Sequence, residues 1–122
     1  MKFLMLIKIE NNADYEAGKM PGAELEAAMG KLMTEWTQAG AFVSAAGLKP
    51  TSRGARVRLA AGKPLLTDGP FTEAKEVVGG FFILEADDKA AAVEMTRRFV
   101  EVHGAVLGAD FQLECEVRQI DE

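Results

Sequence analysis

The residues whose types and spacing could do chemistry fall between positions 49 and 76. Asp68-Gly69-Pro70-Phe71 is dense turn chemistry. An Asp side chain can bond the backbone two residues on, Gly tolerates positive φ, and Pro fixes φ and removes a donor. A carboxylate held by such a turn is rigid, as a site requires. Glu73, Lys75 and Glu76 follow within one turn's reach. Upstream, residues 41–67 carry Lys49, Arg53, Arg56, Arg58 and Lys63 and no acidic residue. With the period-2 geometry of a strand, Arg56 and Arg58 share one face. Arg56, Arg58 and Lys75 could therefore offer charge to a small anion such as a carboxylate or phenolate, with Asp68 beside them as ligand contact or general base. The same residues also fit a structural corner with solvated charges, loosely paired at ~0–1 kcal/mol each.

Other candidates are weaker. His103 is the only histidine; it stands next to Gly104 at the predicted end of a helix, where an imidazolium would interact with the dipole. Cys115 falls on the apolar phase of the last predicted strand, and flanking Glu114 and Glu116 argue against a thiolate. A lone cysteine forms no intramolecular disulfide. No metal-ligand spacing, phosphate-binding glycine loop or nucleophile elbow is present, so no metal and no cofactor is expected. Ser44 and Ser52 lack the flanking glycines, and Trp36 and Met33 continue a helical apolar stripe.

The elements that must position these residues read as strand, helix, strand, hairpin, strand, helix, strand. Residues 2–10 form a strand apolar on both faces: Phe3, Met5, Ile7 and Ile9 on one, Leu4 and Leu6 on the other. Residues 11–18 are a polar loop. Pro21 and Gly22 introduce a helix over 23–39, with Leu25, Met29, Leu32 and Trp36 on its inner stripe and Gly40 as its stop. A short strand over 42–46 leads through a turn to a hairpin, 55–60 and 65–67. Gly79-Gly80 marks a bulge or close backbone approach ahead of a strand over 81–85. Asp87-Asp88 caps a second helix to about 102, stopped by Gly104. The last strand covers 111–120.

The string Asp68-Gly69-Pro70-Phe71, with Glu73, Lys75-Glu76 and Gly79-Gly80 before Phe81, resembles the signature of the YCII-related family, the DGPF-domain proteins. The opening strand, the Gly47-Leu48-Lys49-Pro50 turn and the final strand also fall where that family has them. The resemblance implies a ferredoxin-like α+β subunit, an antiparallel sheet with two helices on one face and an inserted hairpin, paired into a dimeric α+β barrel. Most members have no established activity. Enzyme-like members carry a His–Asp pair near the N-terminal half of the cleft; here His103 stands far down the chain, so that pair is not carried over. Family members often accompany alternative sigma factors, which suggests a regulatory protein-interaction role.

With 122 residues and a net charge of −5, the chain is expected to be a single domain spanning 1–122, soluble and cytoplasmic. It carries no signal peptide pattern, no apolar run near the ~20 residues a membrane helix needs, and no basic excess for nucleic acid. Leu4, Leu6 and two residues of the 81–84 run lie on the face away from the helices, and a second copy is expected to cover them. The expectation is a homodimer binding a small anionic or aromatic metabolite beside the Asp68 turn. The alternatives are a lyase, isomerase or dehalogenase type of enzyme using Asp68 as acid/base, and a regulatory module.

Overall fold

In the computed structural model residues 1–10, 13–19 and 22–122 are described; Asn11 and Asn12 of the predicted polar loop and Pro21 of the predicted helix lead-in lie outside them. The order is β1 (Lys2–Glu10), α1 (Ala13–Glu16), α2 (Ala23–Gln38), β2 (Phe42–Gly47), a 3-10 turn (Thr51–Arg53), β3 (Ala55–Ala60), β4 (Lys63–Asp68), β5 (Glu76–Glu85), α3 (Lys89–Leu107) and β6 (Leu113–Gln119). The fold is α+β. β2, β5, β1 and β6 lie side by side in that order, each pair antiparallel. β3 and β4 form a separate two-stranded hairpin. The sheet is open along β2 and β6, so among the described residues it does not close into a barrel.

Register decides which side chains face the helices. Phe3 pairs with Leu84 and Met5 with Phe82 across β1 and β5, while Met5 pairs with Val117 and Ile7 with Cys115 across β1 and β6. Met5, Phe82 and Leu84 meet Leu32 and Trp36 of α2 and Phe99 of α3 in one buried cluster. Phe82 is its hub, edge-on to Trp36 at 5.5 Å, Phe99 at 5.4 Å and Phe42 at 6.2 Å. Each such ring contributes roughly 1.5–3 kcal/mol by leaving water. Arg98 on α3 donates two hydrogen bonds to Glu35 on α2, at 2.8 and 2.7 Å, and ties the helices together. The opposite face carries Leu4 against Ile83 and Leu6 against Phe81, all partly exposed. Beside them Lys8 reaches Glu114 at 2.9 Å and Glu116 at 3.3 Å.

Helix ends follow the sequence at α2 and depart from it at α3. Gly40 takes φ 72°, and the Ala41 N–H donates to Trp36 O at 2.8 Å, closing α2. The Asp88 carboxylate accepts from the Ala91 N–H at 2.8 Å and opens α3. Gly104 does not stop α3. The helix runs on to Leu107 and ends at Gly108, φ 90°, because Val106 and Leu107 continue its part-buried side. Among the described residues three α-helices form where two were expected, the extra one being the single turn α1.

The strands differ from expectation in length. β5 begins at Glu76, so Gly79 and Gly80 lie inside it. The ladder shifts between Ile7 and Lys8, which pair with Gly80 and Val78. That is the expected bulge. A Cβ on Gly80 would stand 2.7 Å from Ala46 O, so only glycine admits this approach of β2. In the hairpin, Ala61 and Gly62 turn with φ 51° and 77°, the twist that a two-residue connection favours.

Candidate functional site

The Asp68-Gly69-Pro70-Phe71 turn is built as a latch. A Cβ on Gly69 would overlap Thr51 O, so the turn backbone lies directly against the 3-10 turn. The Gly69 N–H donates to Gly54 O at 2.9 Å. The Phe71 N–H donates to the Thr51 hydroxyl at 3.0 Å, and that hydroxyl donates to a Glu16 carboxylate oxygen at 2.7 Å. Thr51 is buried, and its hydroxyl is satisfied in both directions. One residue earlier, the Tyr15 hydroxyl lies 3.1 Å from the carbonyls of Leu48 and Lys49. α1, the 3-10 turn and the Asp68 turn are thereby locked together.

The residues expected to form an anion site are spread out. Asp68 pairs with Ala55 across the hairpin, whereas Arg56 pairs with Thr67 and Arg58 with Leu65. Directly opposite residues share a face and neighbours alternate, so Asp68 lies on one face of the hairpin and both arginines on the other. All three are exposed, as is Lys75. Arg56 donates to Glu73 at 2.7 Å and covers the Phe71 ring at 3.8 Å. It lines a hollow of about 400 Å³ with Lys49 and Arg53. Lys75 borders a different hollow, with Lys8, Glu76 and Glu114. Convergence of the four on one cleft is thus corrected by the pleat of the hairpin.

A mostly apolar cleft opens between the sheet and the helices, with a volume of about 470 Å³. Its floor is Ile7, Ile9 and Phe82, and Met29 and Met33 of α2 form one wall. Glycines widen it. Gly79, Gly80 and Gly47 of the sheet and Gly30 of α2 all border the space, and a Cβ on Gly30 would meet nothing within 4 Å. Phe99 and His103 of α3 and Phe111 close the far side. Tyr15 and Glu26 are the other polar or charged side chains on the lining; among the described residues no lysine or arginine borders it. A concave, mostly apolar space of this size with a few polar groups is what small-molecule sites share.

Sequence reasoning placed His103 at a helix end as a cation. It lies instead within α3 and faces this cleft. Its Nδ1 is 2.9 Å from Phe99 O, and its ring lies 4.4 Å from Phe99 and 6.5 Å from Phe111. Burial pulls its pKa below the ordinary 6.5, opposed only by the Phe99 carbonyl. The neutral ring is therefore favoured. Cys115 packs against the core cluster, and burial with Glu114 beside it pushes its thiol up to about 12. The sequence reading of an inert cysteine agrees. Tyr15 and Glu16 read in the sequence only as members of the polar loop, and Thr51 carried no signal; the one available hint was a lone tyrosine inside a polar stretch.

Among the described residues no group of three or more His, Cys, Asp or Glu side chains is placed to hold a metal ion, and no helix is long and apolar enough to cross a membrane. An uncharacterized protein of Rhizobium meliloti (strain 1021) is 33% identical over 63 residues, 52% of this chain and 51% of that protein. The chain thus spans about half the length of this relative. The YCII-related domain matches residues 1–106, from β1 through nearly all of α3 and including the whole Asp68 latch. The chain belongs to the YCII-related domain family.

Proposed function

We propose that the protein is a homodimer of ferredoxin-like subunits that binds a small, largely apolar aromatic molecule in the cleft between the sheet and helices α2 and α3. The cleft itself carries the reading: about 470 Å³ of apolar space, floored by the sheet and widened by glycines. The latch has a role in this scheme. By fixing Tyr15 against Leu48, both on the lining, it holds the end of the cleft in shape. The strand order β2-β5-β1-β6 with two long helices on one face supports the ferredoxin-like reading. The partly exposed Leu4, Leu6, Phe81 and Ile83, together with hairpin residues Val57 and Leu66 at 72% and 67% exposure, support a second copy as cover. Calorimetric titration with toluene tests the cleft. Saturable binding is expected, and a Gly30→Phe variant, which fills the space, abolishes it; toluene binding untouched by that filling contradicts the site.

A second reading rests on the hollow beside the 3-10 turn, where Lys49, Arg53 and Arg56 stand together. Their charge suits a small anion such as benzoate, with the neighbouring Asp68 turn as its frame. Benzoate titration against an Arg53→Gln, Arg56→Gln double variant separates the two sites, because loss of benzoate binding there leaves toluene binding unchanged.

A further inference from the structure

Resting on the cleft reading above, we propose that its preferred occupant is an aromatic molecule carrying one hydroxyl or N–H donor, a phenol or an indole, and that Nε2 of His103 is the atom that accepts from it. The tautomer follows from geometry. A carbonyl oxygen can only accept, so the 2.9 Å contact with Phe99 O places the imidazole proton on Nδ1. Nε2 then presents a lone pair, and among the described residues it has no hydrogen-bond partner. The ring is held between Phe99 and Phe111, and all three border the cleft. A flat ligand entering there meets two aromatic faces and one fixed acceptor.

The surroundings keep that acceptor neutral. One turn away on α3 stand Phe99, Val100, Val106 and Leu107, none of them charged. From the other elements, Tyr15 of α1, Glu26 of α2 and Cys115 of β6 are the titratable groups at the cleft or beneath it. Burial holds the Tyr15 phenol above its ordinary range and Cys115 far above neutrality, so both stay uncharged. Glu26 is exposed. β1, β2 and β5 present only apolar side chains and glycines to the cleft.

Donor and acceptor supply then selects the ligand. The Tyr15 proton is committed to the Leu48 and Lys49 carbonyls. Glu26 can only accept when ionised, and neutral His103 offers Nε2 as an acceptor. With no cation on the lining, an anion would meet acceptors and no compensating charge. A donor-bearing aromatic satisfies the part-buried Nε2 that an alkylbenzene leaves unpaired, and sites built this way discriminate against analogues lacking the donor.

The test uses the intact protein with toluene and p-cresol as matched probes, read by calorimetry and by the 15N spectrum of the single histidine. In the parent, p-cresol moves the Nε2 resonance toward its protonated position and toluene does not. In His103→Phe, the preference for p-cresol over toluene falls roughly 3- to 10-fold, the worth of one hydrogen bond. Toluene binding with the same p-cresol preference in the parent and in His103→Phe, and Nε2 unmoved, overturns the role of His103 and leaves the cleft reading standing. Binding of neither probe overturns both. If His103→Phe does not fold, the Nε2 shift in the parent decides.

Discussion

Replacing Thr51 by Val keeps the shape of the side chain and removes only its hydroxyl. Two hydrogen bonds go with it: the 2.7 Å bond to the Glu16 carboxylate and the 3.0 Å bond from the Phe71 N–H. A bond to a charged group is worth about 1.5–3 kcal/mol and a neutral one about 0.5–1.5 kcal/mol. Glu16 is only half-buried and regains water, so the lower end of that sum applies, ~2 kcal/mol. For a domain of this length the melting temperature should fall on the order of 5–10 °C. Calorimetry or urea denaturation reads it directly. A double-mutant cycle with Glu16→Gln should show coupling of at least ~0.5 kcal/mol, since both changes act on one bond. A Thr51→Val protein as stable as the parent, with no coupling to Glu16, would refute the view that the Asp68 turn is held as a latch.

Gly104→Ala should stabilise the protein by about 0.5–1 kcal/mol, because Gly104 lies inside α3, is exposed and has nothing within 4 Å of an added Cβ; a stability change of opposite sign, measured in urea, contradicts the longer helix. His103 gives a pH signature. Its folded pKa lies below the ordinary 6.5, so the unfolded chain binds the proton first as pH falls. Its contribution is complete above about pH 6.5 and is lost as pH falls below that value and through the folded pKa. The difference in stability between the parent and His103→Phe should therefore shrink or reverse toward acid, measured by urea midpoints across pH 8 to 5.

The sequence made the framework legible where a pattern had a single physical reading. Alternation in β1 named both its faces, Gly40 and Asp88 marked helix ends, and Gly79-Gly80 marked a bulge. It misled where two signals competed. Gly104 looked like a stop, but Val106 and Leu107 kept α3 going to Gly108. The site was harder to see. Asp68, Arg56 and Arg58 are close in the chain, yet cross-strand register assigns them to opposite hairpin faces. No feature local to one segment reveals that. The cleft is assembled from six elements together with Leu48 and Phe111, and its glycines announce only space. His103 was readable as an α3 residue, but its neutral state depends on burial by Phe99 and Phe111, which only the tertiary contacts supply.

The proposed function requires the cleft to be a real binding space. Methyl spectra of the methionines under titration with toluene test that most directly, because Met29 and Met33 line it and Met1 lies at the exposed amino terminus. Saturable shifts at Met29 and Met33, with Met1 unmoved, are the expected result. Methionine resonances that stay fixed up to the solubility limit of toluene, or that all drift together, would contradict it.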